Sequence, residues 1–122
     1  MLTIDNLKEY GANVEEGLGR CLNNEAFYLR LMGMALADAN FARLETALAD
    51  QDAKGTFDAA HALKGSLSNL ALTPLAEPAS RLTEIFRGAE SFDEIGGAKE
   101  EALALGETIK AEKAKLDALA AE

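Results

Sequence analysis

The stretch from Ala53 to about Leu72 limits the possible folds most. With Phe57 set at zero and about 100° of rotation per residue, Ala60, Leu63, Leu67 and Leu70 cluster near 260°. Apolar residues at that spacing form one face of an amphipathic helix, and the face must be buried. His61, the only histidine in the chain, falls about 140° from the centre of that face, on the water side. Lys54, Lys64, Gly65 and Ser68 share its side. A core histidine would sit among the leucines, and this one does not.

The neighbours of His61 have positional meaning, because side chains at i+3 and i+4 lie against one another on a helix. Lys64, at i+3, brings a cation to the imidazole and is placed to hold an anionic group attached there. Gly65, at i+4, offers no side chain. Glycine inside an exposed helix costs about 1 kcal/mol relative to alanine, so the empty position points to a bulky partner approaching the ring. Ser68 extends the small polar surface. An exposed imidazole titrates near 6.5, so a nucleophilic neutral fraction is present at neutral pH without a dedicated base.

The rest of the chain also reads as helix. It is rich in Ala, Leu, Glu and Lys and poor in β-branched residues, a composition that favours α-structure. Thr3 or Asp5 caps a short first helix ending near Gly11, and Asn13 with Glu16 opens a second that carries Val14, Leu18 and Cys21. Asn23 or Asn24 caps a longer helical region from Glu25 to about Ala49. It has one stripe of Phe27, Leu31, Met34, Phe41, Leu44 and Leu48, and a second of Tyr28, Leu29, Met32 and Leu36. The second is either covered by Leu2, Ile4, Leu7 and Val14 or left in part for a partner, and the cover is the favoured reading. Asp38-Ala39-Asn40 marks a local kink. Asp52 caps the histidine helix. Thr73-Pro74 opens the next helix, with the Thr73 hydroxyl as cap and proline first inside, although Pro78 either kinks it or moves its start. Ser91 with Glu94 forms a capping box, Gly96-Gly97 interrupts, and a long helix runs from Ala98, its charged end projecting beyond the rest.

Ala60-His61-Ala62-Leu63-Lys64-Gly65-Ser66, followed by Asn69-Leu70-Ala71 and Leu75, resembles the histidine-containing phosphotransfer (HPt) domain of bacterial-type phosphorelays. Asp52, nine residues before the histidine, matches a common feature of that family. The likeness is carried by Leu44 to about Arg87; the first 40 residues and the tail match only as generic helices. It implies an all-α, antiparallel four-helix bundle over residues 24–121, preceded by a short N-terminal helical cap over 1–22. It also implies that His61 accepts a phosphoryl group. Ala71 stands where the family usually has glycine, which points to altered packing at the helix end and leaves the chemistry intact.

The site residues expected on this reading are His61 as phosphoacceptor, Lys64 as its ionic support, and Gly65 and Ser68 as clearance for the partner. Phe57, Tyr28 and Met32 are candidates for the docking surface. Asp58 could orient the ring, but reads better as a solvated carboxylate. The partners implied are response-regulator receiver domains or a hybrid sensor kinase. Nothing in the chain resembles a Mg²⁺ carboxylate cluster or a phosphate-cradling loop. The metal and the acidic phosphoacceptor should therefore come from the receiver, and the chain has no cofactor of its own.

Other functions fit less well. A net charge of −9 argues against nucleic acid, which requires clustered Lys and Arg. One cysteine, Cys21, cannot form an intrachain disulfide and suits a reducing compartment. With no signal peptide and no apolar run of about 18 residues, the cytoplasm is the expected location. A dimeric histidine kinase core would follow its histidine with an acid and soon a proline, whereas Ala62 follows His61, and no nucleotide-binding domain fits; kinase activity is not expected. A helical adaptor without chemistry, or a phosphotransfer module of a larger hybrid kinase, are the alternatives. A monomer is expected, since the histidine face must stay open.

Overall fold

The computed structural model describes residues 1–122 and is built from seven α-helices with one 3-10 segment. Several helices start where a side chain caps the free N–H groups of the first turn. In α1 (Ile4–Tyr10) Thr3 Oγ1 accepts from the Asn6 N–H at 3.0 Å, and Asn6 Oδ1 accepts from the Thr3 N–H at 2.8 Å. Gly11, at φ +117°, closes that helix. Asn13 caps α2 (Val14–Arg20), Asn24 caps α3 (Glu25–Leu36) and Asp52 caps α5 (Ala53–Asn69). Each such cap contributes about 1 kcal/mol.

The region expected as one kinked helix is two. α3 ends at Leu36 and α4 spans Asn40–Ala49. Asp38 Oδ1 accepts from the Asn40 N–H at 2.8 Å, a local bond that competes with continuation of the helical ladder. The break changes which stripe is buried. Phe41, Leu44 and Leu48 of α4 lie in the core, yet Phe27 and Met34 of α3 are exposed, at 39% and 63%. The second stripe fills the core instead, and Tyr28 and Met32 are both fully buried. These two residues therefore cannot line a docking surface. Leu2, Leu7 and Val14 share their cluster, as the covering reading expects. On α2, Gly17 lies so close that a Cβ would fall 2.5 Å from Tyr28 Cε1 and 2.8 Å from the Leu70 carbonyl oxygen.

α5 stops at Asn69, short of Leu72, and a tight turn leads into α6 (Thr73–Phe86). In that turn Ala71 adopts φ +56°, the left-handed region that costs a residue with a Cβ about 1–2 kcal/mol. The turn is pinned: the Ala71 carbonyl accepts from the Asn13 N–H at 2.9 Å, and the Leu70 carbonyl accepts from the Tyr28 hydroxyl at 2.9 Å. Thr73 is not the cap of α6. Leu72 holds that position without a side-chain bond, and Pro74 follows in the first turn. The helix passes through Pro78 without ending.

Short turns make α4, α5 and α6 antiparallel neighbours. α5 packs most extensively on α6, α4 on α5, and α7 (Lys99–Ala121) on α6, with α7 closing the ring against α3 and α4. Leu63 and Leu67 of α5, Leu75, Leu82 and Phe86 of α6, and Leu116 of α7 are fully buried between them. Gly106 permits the α4–α7 crossing, where a Cβ would meet Leu48 Cδ1 at 2.5 Å. Before α7, Phe92–Ala98 is a 3-10 segment with Phe92 packed on Phe86, ring centroids 5.1 Å apart. The Ser91–Glu94 capping box does not form, because the Glu94 carboxylate accepts from the Glu90 N–H at 2.7 Å instead. The end of α7 does not project freely. Leu116 is buried, and the Met1 amino group donates to the Leu119 carbonyl at 3.0 Å. No helix is long and apolar enough to cross a membrane.

Candidate functional site

His61 sits in the middle of α5 and is exposed, while Ala60 and Leu63 on either side are fully buried. The helix is thus anchored by its leucine face and presents the imidazole to solvent on a rigid support. Phe57, one turn earlier and half-buried, stacks on the imidazole: centroids are 5.5 Å apart and the planes differ by 7°. The hydroxyl bonds of α5 run from Thr56 to the Asp52 carbonyl at 2.8 Å and from Ser66 to the Leu63 carbonyl at 3.3 Å. None involves the ring, whose nitrogens have no partner within the chain.

Gly65 faces open space, since a Cβ placed there meets nothing within 4 Å. The fold does not require a glycine there, in contrast to Gly17. Ser68 is exposed, and its carbonyl accepts from the Arg20 guanidinium of α2. Lys64 is half-buried and points its ammonium toward Glu84 of α6, with Nζ 4.0 Å from Oε1.

Glu84 and Arg87 are the site residues that the sequence reading missed. Arg87 holds the Glu84 carboxylate through two hydrogen bonds, Nε to Oε2 at 3.1 Å and Nη2 to Oε1 at 2.9 Å. Its guanidinium carbon also lies 5.6 Å from the centre of the Phe57 ring, within reach of a cation–π attraction. The Arg87 hydrogen bond holds the Glu84 carboxyl below its ordinary range, and the charges of Arg87, Lys64 and His61 act in the same direction against partial desolvation. A signal existed: an acid–arginine pair at i,i+3 on the helix after the histidine helix. Counted from Leu72, Glu84 and Arg87 lie about as far along α6 as His61 and Phe57 lie back along α5, so antiparallel pairing brings them together.

Other candidates are elsewhere. Asp58 lines a shallow groove between α4 and α5 with Asp50 and Asp52 and makes no bond to the imidazole. Arg81 forms a two-bond pair with Glu101 of α7, at 3.0 and 2.9 Å. Cys21 is buried and free. No group of three His, Cys, Asp or Glu side chains is placed to hold a metal ion.

The candidate site is thus an unpartnered imidazole on a helix of an all-α bundle, stacked on Phe57, with Lys64 one turn on and Arg87 over the Phe57 ring. The Hpt domain family model matches residues 32–121, and the chain belongs to that family, whose members are phosphorelay carriers and not kinases. The match begins within α3, so α1 and α2 lie outside it. Searches of curated proteins and of solved structures found no significant match.

Proposed function

We propose that His61 is the phosphoacceptor of this carrier and that it exchanges phosphoryl groups with the aspartate of receiver domains. The observation that carries this is the imidazole itself: exposed at mid-helix, free of hydrogen bonds and next to an open Gly65. In the step, the lone pair of the unprotonated ring nitrogen attacks phosphorus. The phosphorus–oxygen bond to the receiver's aspartate breaks, and its electron pair stays on that carboxylate. The ring keeps its other N–H, becomes a cationic phosphoimidazole and later releases that proton to water. Reversal passes the group to a second receiver.

Catalysis of such a transfer is mainly positioning and charge neutralisation. Phe57 holds the ring plane, Lys64 receives charge on the moving group, and Gly65 and Ser68 leave room for the partner. The receiver brings the Mg²⁺ and the acidic residues that bind it. A monomer in the reducing cytoplasm suits both the open face and the single free thiol. Transfer from a panel of phosphorylated receivers tests the reading, with His61→Gln alongside. Wild type should acquire an acid-labile, base-stable phosphate and the variant none. Label retained by a folded His61→Gln protein would sink the assignment.

A further inference from the structure

We propose that Glu84 is an internal stand-in for the phosphoryl group: it occupies Lys64 and Arg87 while His61 is bare and hands both cations over when His61 is phosphorylated. The inference rests on the phosphoacceptor reading of His61 and adds a residue that sets how strongly the group is held.

The geometry gives Glu84 two cationic neighbours. One is the bidentate Arg87, the other Lys64 at 4.0 Å, which is beyond hydrogen-bond reach. Lys64 and Arg87 are connected to His61 by different routes. Lys64 is at i+3 from His61 on the same helix, and Arg87 lies against Phe57, which is itself stacked on His61. A phosphoryl group on the ring carries nearly two negative charges and enters the region that the carboxylate already serves. Two anions of that strength cannot share two cations equally, and like charges in one site disfavour each other. The phosphoryl oxygens offer Arg87 the same forked acceptor geometry as a carboxylate does. Glu84 and Arg87 are about half exposed and Lys64 about a third, so Glu84 can swing into water at small cost when displaced.

The carboxylate therefore acts in two ways. It keeps Lys64 and Arg87 pre-positioned at the α5–α6 surface in the bare protein. It also repels and competes with the attached group, which keeps the phosphohistidine ready to leave. Neutralising Glu84 should make His61 hold its phosphoryl group more firmly, and removing Arg87 should do the reverse.

The exchange of His61 with phosphoramidate measures this without a receiver. The nitrogen–phosphorus bond of the reagent breaks, ammonia leaves with the electron pair, and the bond to the ring forms. Ammonia added at several concentrations drives the reaction back, so phosphorus NMR reads an equilibrium constant. Glu84→Gln should shift it toward phospho-His61 by about three- to tenfold at low salt, less at high salt, as for other exposed charge pairs. Arg87→Gln should shift it the other way, Glu84→Asp should stay near wild type, and the Glu84→Gln effect should shrink in an Arg87→Gln background. The pKa of the second phosphoryl ionisation, read from the same spectra, should fall in Glu84→Gln and rise in Arg87→Gln, a change that a merely structural role would not produce. Equal constants and equal phosphoryl ionisation in wild type and Glu84→Gln, with His61 labelled in both, would overturn the role of Glu84 alone. No label on wild-type His61 would overturn the phosphoacceptor reading and this inference with it.

Discussion

At the scale of single residues, three glycines of one chain do different things. A Cβ on Gly17 would strike Tyr28 and the Leu70 carbonyl, so packing demands that glycine, whereas one on Gly106 would press only on the end of the Leu48 side chain. Gly65 has nothing near it and weakens an exposed helix by about 1 kcal/mol relative to alanine, so packing does not account for it. Gly65→Leu should therefore raise the stability of the isolated protein by roughly 0.8 kcal/mol in urea unfolding. The same variant should lose about tenfold or more in transfer from a receiver, since small misplacements of reacting groups are costly. Labelling of His61 by phosphoramidate, a small donor, should be unchanged. Receiver transfer at the wild-type rate would show that the space serves no partner. Lys64 and Gly65 were legible in the sequence because their relation to His61 is local and periodic. Glu84 and Arg87 were not, because they approach Lys64 and Phe57 only across the α5–α6 interface.

At the scale of elements, the capping signals carried most of the helix boundaries. Thr3, Asn13, Asn24 and Asp52 each accept from a first-turn N–H, which decides for Thr3 over Asp5 and for Asn24 over Asn23. Other signals were overridden by competing local bonds. Glu94 turned to the Glu90 N–H, and the stripe from Phe27 to Leu48 was broken by Asp38, which buried Tyr28 and Met32 and left Met34 outside. The α5–α6 turn shows a further local cost that the likeness to the family had flagged. Ala71 is buried, left-handed and bonded through its carbonyl to Asn13. Glycine there relieves about 1–2 kcal/mol of backbone strain, against roughly 0.5–1 kcal/mol of added chain entropy in the unfolded state. Ala71→Gly should give a small net gain, on the order of 0.5 kcal/mol. Ala71→Val, β-branched at positive φ, should lose about 2 kcal/mol or more. Urea midpoints of the two variants in the opposite order would refute this account of the turn.

At the scale of the whole molecule, α1 and α2 are joined to the bundle through buried groups that titrate, which gives the fold an alkaline limit. The chain has two tyrosines and no tryptophan. Tyr28 is fully buried between α2 and the α5–α6 turn, and burial, helped by the neighbouring Cys21, pushes its phenol up to about 12. Tyr10, whose hydroxyl is buried, is raised as well, by burial and then by the nearby Glu112 carboxylate of α7. A group whose folded pKa lies above its unfolded value favours the fold fully below the unfolded value, near 10, and that contribution is lost as pH rises through the folded one. The unfolded chain takes up hydroxide first, so stability should fall from about pH 10 toward pH 12. Near-ultraviolet phenolate absorbance reports these two side chains without interference from tryptophan, and circular dichroism reports helix. The two signals should rise and fall together, tyrosine ionising as the bundle opens. Tyr28→Phe should cost about 1 kcal/mol at neutral pH through the lost bond to the Leu70 carbonyl. It should also flatten the alkaline decline, because only Tyr10 then drives it. A smooth titration of both phenols near 10 with helicity intact would mean that neither ring is buried as described, and that the N-terminal helices are not locked onto the bundle.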